Sequence, residues 1–171
     1  MRIFVPTTLD SLELRWTVPA GVAFAVTNSL REAIPGEDEE GLEFEAFRCA
    51  AEEALWCHLD HPNATPLRVV VTVEVSDDAV VDGALCDAND ETVPGRVMVT
   101  AALEGTALIA IHVDEPDAAG DIAAALELAR ALPDDVTVSE LPDEFVAACE
   151  RVNDHDLLWY DPTELSAIPR L

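Results

Sequence analysis

The chain has 171 residues, half of them hydrophobic, and these values predict a single folded domain (1–171) with a buried core rather than a disordered protein. Its 35 aspartates and glutamates outnumber nine basic residues, all of them arginine, and the formal net charge is −26. Because this charge repels nucleic-acid backbones and anionic membranes, the sequence predicts neither as a partner and favours a basic partner or bound cations. The simpler interpretation is that the acidic surface reflects a GC-rich genome or a saline habitat and adds only solubility.

The N-terminal half of the chain predicts two short strands followed by one long helix. Strands are predicted over 2–5 and 22–27, with a brief helix after the first and a helical turn over 28–34. A helix over about 37–61 is predicted from apolar residues at helical spacing, which are Phe47, Ala50, Ala51, Ala54, Cys57 and His58. Pro62 ends this helix, because proline cannot donate the next backbone hydrogen bond.

The C-terminal half predicts further strands that alternate with helices. Valines alternate with polar residues over 67–75, which predicts a strand with one wet side near a sheet edge or antiparallel to its neighbour. The acidic residues 76–95 show no period and are predicted to form a long loop. The remaining predicted elements are strands at 96–100, 107–114, 136–139 and 157–160 and helices at 118–132 and 143–152. The sequence 161–164 has the residues of a capped helix start.

The segment 107–114 has apolar residues at both odd and even positions. This pattern predicts a central strand that is covered by helices on both faces. Strands and helices alternate along the rest of the chain. The predicted fold class is therefore α/β or α+β, a single domain with a mixed sheet of about five strands and helices packed on it.

Several activities and locations are excluded by missing features. Without lysine there is no P-loop lysine and no Schiff-base lysine, and neither G-x-G-x-x-G nor G-x-S-x-G occurs. No apolar stretch reaches the ~18 residues of a membrane span, and the N-terminus lacks a secretory signal. Four cysteines without that signal predict reduced thiols and a cytoplasmic protein. No cofactor or metal site is predicted, because Cys57, His58 and His61 lack a second ligand pair.

One candidate ligand site follows from the position of polar residues after predicted strands. In open α/β sheets ligands bind beyond the carboxyl ends of the strands. Thr7 and Thr8 follow the first strand, and polar residues 27–29 follow the second. Arg31, one turn further on, could bind a carboxylate or phosphate. A histidine beside an aspartate could act as an acid–base pair. The predicted ligand-binding residues are Thr27, Asn28, Ser29, Arg31, His112 and Asp114, and no catalytic residue is assigned.

Five sequence blocks span nearly the whole chain, in the order MRIFVPTTLDSL, FAVTNSLREAI, EDEEGLEFEAF, AIHVDEPDA and DHDLLWYDPTEL. In these blocks and their order the chain resembles an uncharacterised family of small acidic actinobacterial proteins, a domain of unknown function. The resemblance implies a full-length single domain from a Gram-positive, high-GC source. The resemblance implies no activity, cofactor or binding residue.

Two functions remain open on the sequence. The first is a non-enzymatic cytoplasmic interaction or regulatory protein that presents an acidic surface to a protein partner or to a second copy in a homodimer. The alternative is a small-molecule-binding or enzymatic α/β domain that uses the site at the strand carboxyl ends. The absence of every diagnostic catalytic motif favours the first.

Overall fold

One sheet organises the computed structural model of this protein, which describes residues 1–12, 16–81, 93–103, 107–133 and 136–171. Its seven strands are β1 (Arg2–Thr7), β2 (Gly21–Phe24), β3 (Val69–Glu74), β4 (Val80–Val81), β5 (Arg96–Val99), β6 (Ala107–Asp114) and β7 (Leu157–Tyr160). They lie in the order β4-β5-β2-β1-β3-β6-β7, and every neighbouring pair is antiparallel. The α+β class is confirmed, with seven antiparallel strands in place of a mixed sheet of about five.

Four helices accompany the sheet: α1 (Asn28–Ala33), α2 (Glu39–Asp60), α3 (Ala119–Arg130) and α4 (Asp143–Asn153). Helix α2 begins where the Asp38 carboxylate accepts a hydrogen bond from the Gly41 amide at 3.0 Å. Its buried side is largely alanine, which lets the helix approach the sheet closely. These residues are Leu42, Ala46, Ala50, Ala51, Ala54, Leu55 and His58. No helix in the described ranges is long and apolar enough to cross a membrane.

The two faces of the sheet are covered differently. Helix α2 packs on one face against Phe4, Phe24 and Val70. The opposite face is buried beneath irregular segments that contribute Leu9, Leu12 and Ile168 to its core. The expectation that β6 has helices on both faces is therefore wrong, because short 3-10 turns supply enough apolar side chains to cover one face.

Strand β3 is an interior strand of the sheet, the third from the β7 edge. It is antiparallel to both neighbours, β1 and β6. Of the two arrangements predicted from its alternating residues, an edge position or an antiparallel neighbour, the second is the one observed. Its polar residue Thr72 and the preceding Arg68 are nevertheless buried, because α2 packs on that side and hydrogen bonds satisfy their polar groups, that of Arg68 to Asn153 of α4 included. The alternating pattern predicted a wet side because the partners that bury these polar residues lie far away in sequence and are not visible in the pattern.

Three other predicted elements differ in extent or type. Strand β1 continues through Pro6 to Thr7. Within the described ranges Pro6 is in register with β3 alone, and proline is tolerated where a strand has one neighbour. The predicted strand at 136–139 is wrong, because a 3-10 helix occupies Val138–Glu140. In the predicted loop at 76–95, β4 forms beside β5, and residues 82–92 lie outside the described ranges.

The C-terminal segment agrees with its sequence pattern. Asp161 accepts a hydrogen bond from the Thr163 amide at 2.9 Å, and the Glu164 carboxylate accepts one from the Asp161 amide at 2.9 Å. This capping box begins a 3-10 helix over Pro162–Ala167. The same segment fixes the end of β7, because it follows that strand directly and contacts β6.

Candidate functional site

The four predicted site residues that follow β2 form the start of α1. The Thr27 hydroxyl caps this helix by accepting a hydrogen bond from the backbone amide three residues later at 3.2 Å, and Asn28 is exposed. The Ser29 hydroxyl lies 2.8 Å from that of Thr27, and Arg31 forms an exposed ion pair with Glu39 at 2.7 Å. Capping and a surface ion pair occupy the polar groups of this turn.

The other two predicted residues, His112 and Asp114, lie at the opposite end of the sheet. Strands β2 and β6 run in opposite directions, because three successive antiparallel pairings separate them. Their carboxyl ends therefore do not meet. The six residues divide into two groups that form no common cluster, and ligand binding by either group stays a prediction.

Asp114 belongs to a buried ion pair with Arg68, whose side chain is 3 % exposed against 0 % for the aspartate. The guanidinium donates through Nη2 to Oδ1 at 2.8 Å and through Nε to Oδ2 at 3.0 Å, a bidentate arrangement. The Arg68 backbone amide also donates to Oδ2 at 2.6 Å. Burial raises the pKa of Asp114, while the hydrogen bonds and positive charge of Arg68 oppose that rise.

The remaining donors of Arg68 tie the end of the sheet to α4 and to the segment before β7. Nη1 donates to the Asn153 side-chain oxygen at 3.0 Å, and Nη2 donates to the His155 carbonyl at 3.1 Å. The His155 ring lies 3.0 Å from both the Glu115 and Asp121 carboxylates. These hydrogen bonds raise the pKa of His155, and the bond to Asp121 contributes most. The network thus fixes where β7 begins.

Sequence reasoning missed Arg68 as a central residue. Its partner Asp114 lies 46 residues away, so no local pattern joins the two. One signal was present: an arginine at the start of a valine strand and an aspartate at the end of another apolar strand. Antiparallel pairing of those strands brings such residues to one level of the sheet.

His112 is not paired with Asp114, which uses its carboxylate on Arg68. The His112 ring centroid lies 4.7 Å from that of Phe47, and Nε2 is 3.3 Å from the Thr72 hydroxyl. Burial lowers the pKa of His112 from 6.5 to about 4. The imidazole is therefore neutral at pH 7 and acts as part of the half-buried aromatic packing.

This lowered pKa predicts an acid-sensitive contribution of His112 to stability. The unfolded chain takes up a proton near pH 6.5, whereas the folded chain does so only near 4. The contribution is therefore present above pH 6.5 and is lost as the pH falls. Between about pH 7 and pH 5, the wild type should lose up to about 2 kcal/mol more unfolding free energy than His112→Leu in urea titrations. Equal losses in both proteins would contradict the buried neutral state.

A groove runs between α2 on one side and α4 and β7 on the other. It consists of two cavities, about 220 Å³ and 340 Å³, that share Glu52, Arg68 and Asn153. The smaller cavity opens beside β7, and its apolar lining consists of Phe44, Phe47, Ala51 and Leu157. The larger has an apolar lining of Leu55, Trp56, Leu141, Phe145, Val146, Cys149 and Val152. Groove and sheet edge thus adjoin at Leu157.

Strand β7 is an edge strand that pairs, within the described ranges, with β6 alone. The Glu115 amide donates to the Asp156 carbonyl at 3.2 Å, just before the strand. Because hydrogen-bonded pairs alternate in antiparallel strands, Leu158 and Tyr160 bond to β6. The backbone N–H and C=O groups of Leu157 and Trp159 therefore point away from the sheet.

Exposed apolar side chains surround this free edge. Trp159 is 60 % exposed and Leu158 41 %, on opposite faces of the strand. Phe44 of α2, 61 % exposed, lines the same small cavity as Leu157. Trp159 is in register with His112, whose ring packs on Phe47. The sheet face at β6 and β7 is thus an open apolar trough beside α2.

The ends of the edge strand are acidic. Exposed Asp156 precedes β7 and Asp161 follows it. Hydrogen bonds from the Thr163 side chain and backbone hold the pKa of Asp161 below its ordinary value, so its carboxylate is charged at neutral pH. Within the described ranges, no group of three or more His, Cys, Asp or Glu side chains is arranged to hold a metal ion.

Comparison with known proteins identifies a family but no function. Residues 1–168 match the profile described as a family of unknown function (DUF6912). Neither the curated proteins nor the solved structures include a significant match to this chain. The geometry of the groove and edge is therefore what supports a functional conclusion.

Proposed function

Since the chain belongs to the family of unknown function DUF6912, in agreement with its sequence blocks, we propose from its geometry that it is a protein-binding module. Its β7 edge accepts an extended segment of a partner protein as an added strand. The partner segment is apolar at alternate positions and basic at both ends. The observation that carries this proposal is the backbone edge at Leu157 and Trp159, which no other strand of the described part of the chain covers, beside an open apolar trough.

The backbone geometry supports strand addition. An added strand would bond to the outward N–H and C=O groups of Leu157 and Trp159, and such main-chain bonds supply affinity in this binding mode. Proteins commonly protect exposed edges with charges, bulges or covering loops. Here the strand instead places Leu158 and Trp159 at the surface. This arrangement is typical of an edge that is covered by a partner.

The trough supports selection by side chains. Alternate residues of an added strand would face the α2 side and reach the cavity of about 220 Å³ between Phe44 and Leu157. Trp159 would cover the added strand from the same side, and large aromatic residues contribute much of the energy of protein interfaces. Binding therefore favours apolar residues at every second position.

Charge supports a basic partner. Asp156 and Asp161 bracket the strand about 17 Å apart, at roughly 3.3 Å per residue. The net charge of −26 attracts a cationic segment over long range and opposes association with a second copy of this chain at low salt. We further propose a cytoplasmic location, which is supported by free thiols at the described residues Cys49, Cys57 and Cys149.

The test uses a synthetic peptide of roughly nine residues that alternates valine and threonine between two pairs of arginines. Amide chemical shifts of the labelled protein should change at 157–160 and around Phe44 as the peptide is added. Trp159→Ala should weaken binding on the order of 10- to 30-fold, because it removes an aromatic contact worth about 1.4–2 kcal/mol. Phe44→Ala should act in the same direction.

Two matched peptides provide the controls. Replacing the arginines by glutamates should abolish binding, and methylating the backbone nitrogens that face β7 should abolish it without changing the charge. Shift changes confined to other surfaces, or equal binding of the methylated peptide, would contradict strand addition. A dimer at low salt that the peptide does not dissociate would show that a second copy occupies the edge instead.

A further inference from the structure

A second cleft lies at the carboxyl end of β1, away from the groove beside β7. Its volume is about 390 Å³, and it is lined by Pro6, Thr7, Thr8, Ser11, Trp16, Thr17, Pro19, Cys57 and His61. An adjoining cavity of about 380 Å³ shares Thr8, Ser11 and His61 and extends towards Asp10, Asp60 and Asn63. The end of β1, the turn after it and the C-terminal end of α2 form this polar cleft.

Hydroxyl groups line the cleft, two of them on the buried residues Thr7 and Thr8 and one on exposed Ser11. Thr8 is 1 % exposed, and its hydroxyl lies 2.7 Å from that of Ser11. One of these hydroxyls donates to the other, which leaves one further O–H donor and free lone pairs. Thr7 is 8 % exposed, and its side chain also lines the cleft. Each of these hydroxyls can both donate a hydrogen bond to a ligand and accept one from it.

The walls of the cleft combine these polar groups with flat apolar surfaces. Trp16, Pro6 and Pro19 provide apolar contact area around the hydroxyls. A sugar ring or polyol presents hydroxyls at its rim and C–H groups on its faces, so it matches both kinds of surface. Asp60 and the exposed His61 add acceptors and a ring nitrogen at the rim.

Charge restricts the ligand to a neutral one. Among the described lining residues no arginine is present, while Asp60 is acidic and Asp10 is paired with Arg170 at 3.7 Å. A phosphate or carboxylate would therefore be repelled. Burial raises the pKa of the Cys57 thiol to about 11, so this group stays protonated and is a weak hydrogen-bond donor rather than a nucleophile.

We propose that this cleft binds a neutral polyhydroxylated small molecule, a sugar or polyol, through the hydroxyls of Thr7, Thr8 and Ser11 and the face of Trp16. This site is independent of the β7 edge. It would give the protein a small-molecule function in addition to protein binding. The site lies at the end of β1, whereas the predicted ligand-binding residues lie at the ends of β2 and β6.

The probes are glucose, galactose, myo-inositol and trehalose, each titrated separately into labelled protein. At least one should produce saturable amide shifts at Thr7, Thr8 and Ser11 and leave β7 unchanged. Thr7→Val should weaken that binding at least tenfold, whereas Thr7→Ser, which keeps the hydroxyl, should bind within about threefold of wild type. Thr137→Val removes a hydroxyl of a partly exposed residue that is not part of the cleft lining, so it should have no effect on binding.

The outcomes separate this site from the edge site. Trp159→Ala should bind the sugar as the wild type does, so failure of strand addition would not affect this result. Glucose 6-phosphate should bind more weakly than glucose. The absence of saturable shifts with all four probes, or equal binding by Thr7→Val and wild type, would overturn the proposal.

Discussion

Asp114→Ala is expected to lower the free energy of unfolding by about 3–5 kcal/mol, because it breaks a buried ion pair. The change leaves the Arg68 guanidinium buried at 3 % exposure without its counter-ion, and it also removes the acceptor of the Arg68 backbone amide. Urea unfolding followed by circular dichroism measures the loss. A loss below about 1 kcal/mol would contradict the assignment of this pair to the buried structure.

Two further variants identify the cause of that loss. Arg48→Ala removes a guanidinium that is 50 % exposed and pairs with Glu45 and Glu52, so its effect should stay within about 1 kcal/mol. The double variant Arg68→Met with Asp114→Leu removes both charges together. It should be more stable than Asp114→Ala, because no unpaired charge remains buried.

Leu158→Pro is expected to lower the stability of the protein, whereas Trp159→Pro is expected to leave it folded and abolish peptide binding, although the two residues are adjacent. The Leu158 amide bonds to β6, so proline there leaves a strand carbonyl unpaired and should cost about 1–3 kcal/mol. The Trp159 amide points outward, where proline is tolerated on an edge strand. Trp159→Pro should therefore stay folded and lose peptide binding.

The variant Trp159→Ala separates the side chain from the backbone in this comparison. Trp159→Pro should bind the arginine-flanked peptide more weakly than Trp159→Ala, because it lacks the outward N–H as well as the indole. Unfolding measurements and peptide titrations on the three variants test this together. Equal stability of Leu158→Pro and Trp159→Pro would show that the hydrogen-bond alternation of β7 is wrongly assigned.

Much of the local structure follows from the sequence alone. Helix α2 is predicted from its alanine-rich stripe and the acidic residues at its start, and the structure places it over Glu39–Asp60. The capping box at Asp161 is likewise visible in four residues. These features depend on neighbours within one helical turn, so a single sequence contains the information for them.

Strand direction and strand neighbours do not follow from such local patterns. The apolar segment that forms β6 is buried in an antiparallel sheet, although its continuous apolar pattern is typical of parallel ones. This direction decides the candidate site, because it separates Thr27 from Asp114 and brings Arg68 to Asp114. The free edge of β7 depends on the strand order, which no local pattern records.

Hydrogen exchange of the β7 amides tests the central claim most directly. In the free protein, the amides of Leu157 and Trp159 should exchange rapidly, while those of Leu158 and Tyr160 should be protected by β6. Addition of the arginine-flanked peptide should protect Leu157 and Trp159 as well. Uniform protection in the free protein, or no added protection at these two amides when the peptide is bound, would contradict binding by strand addition at β7.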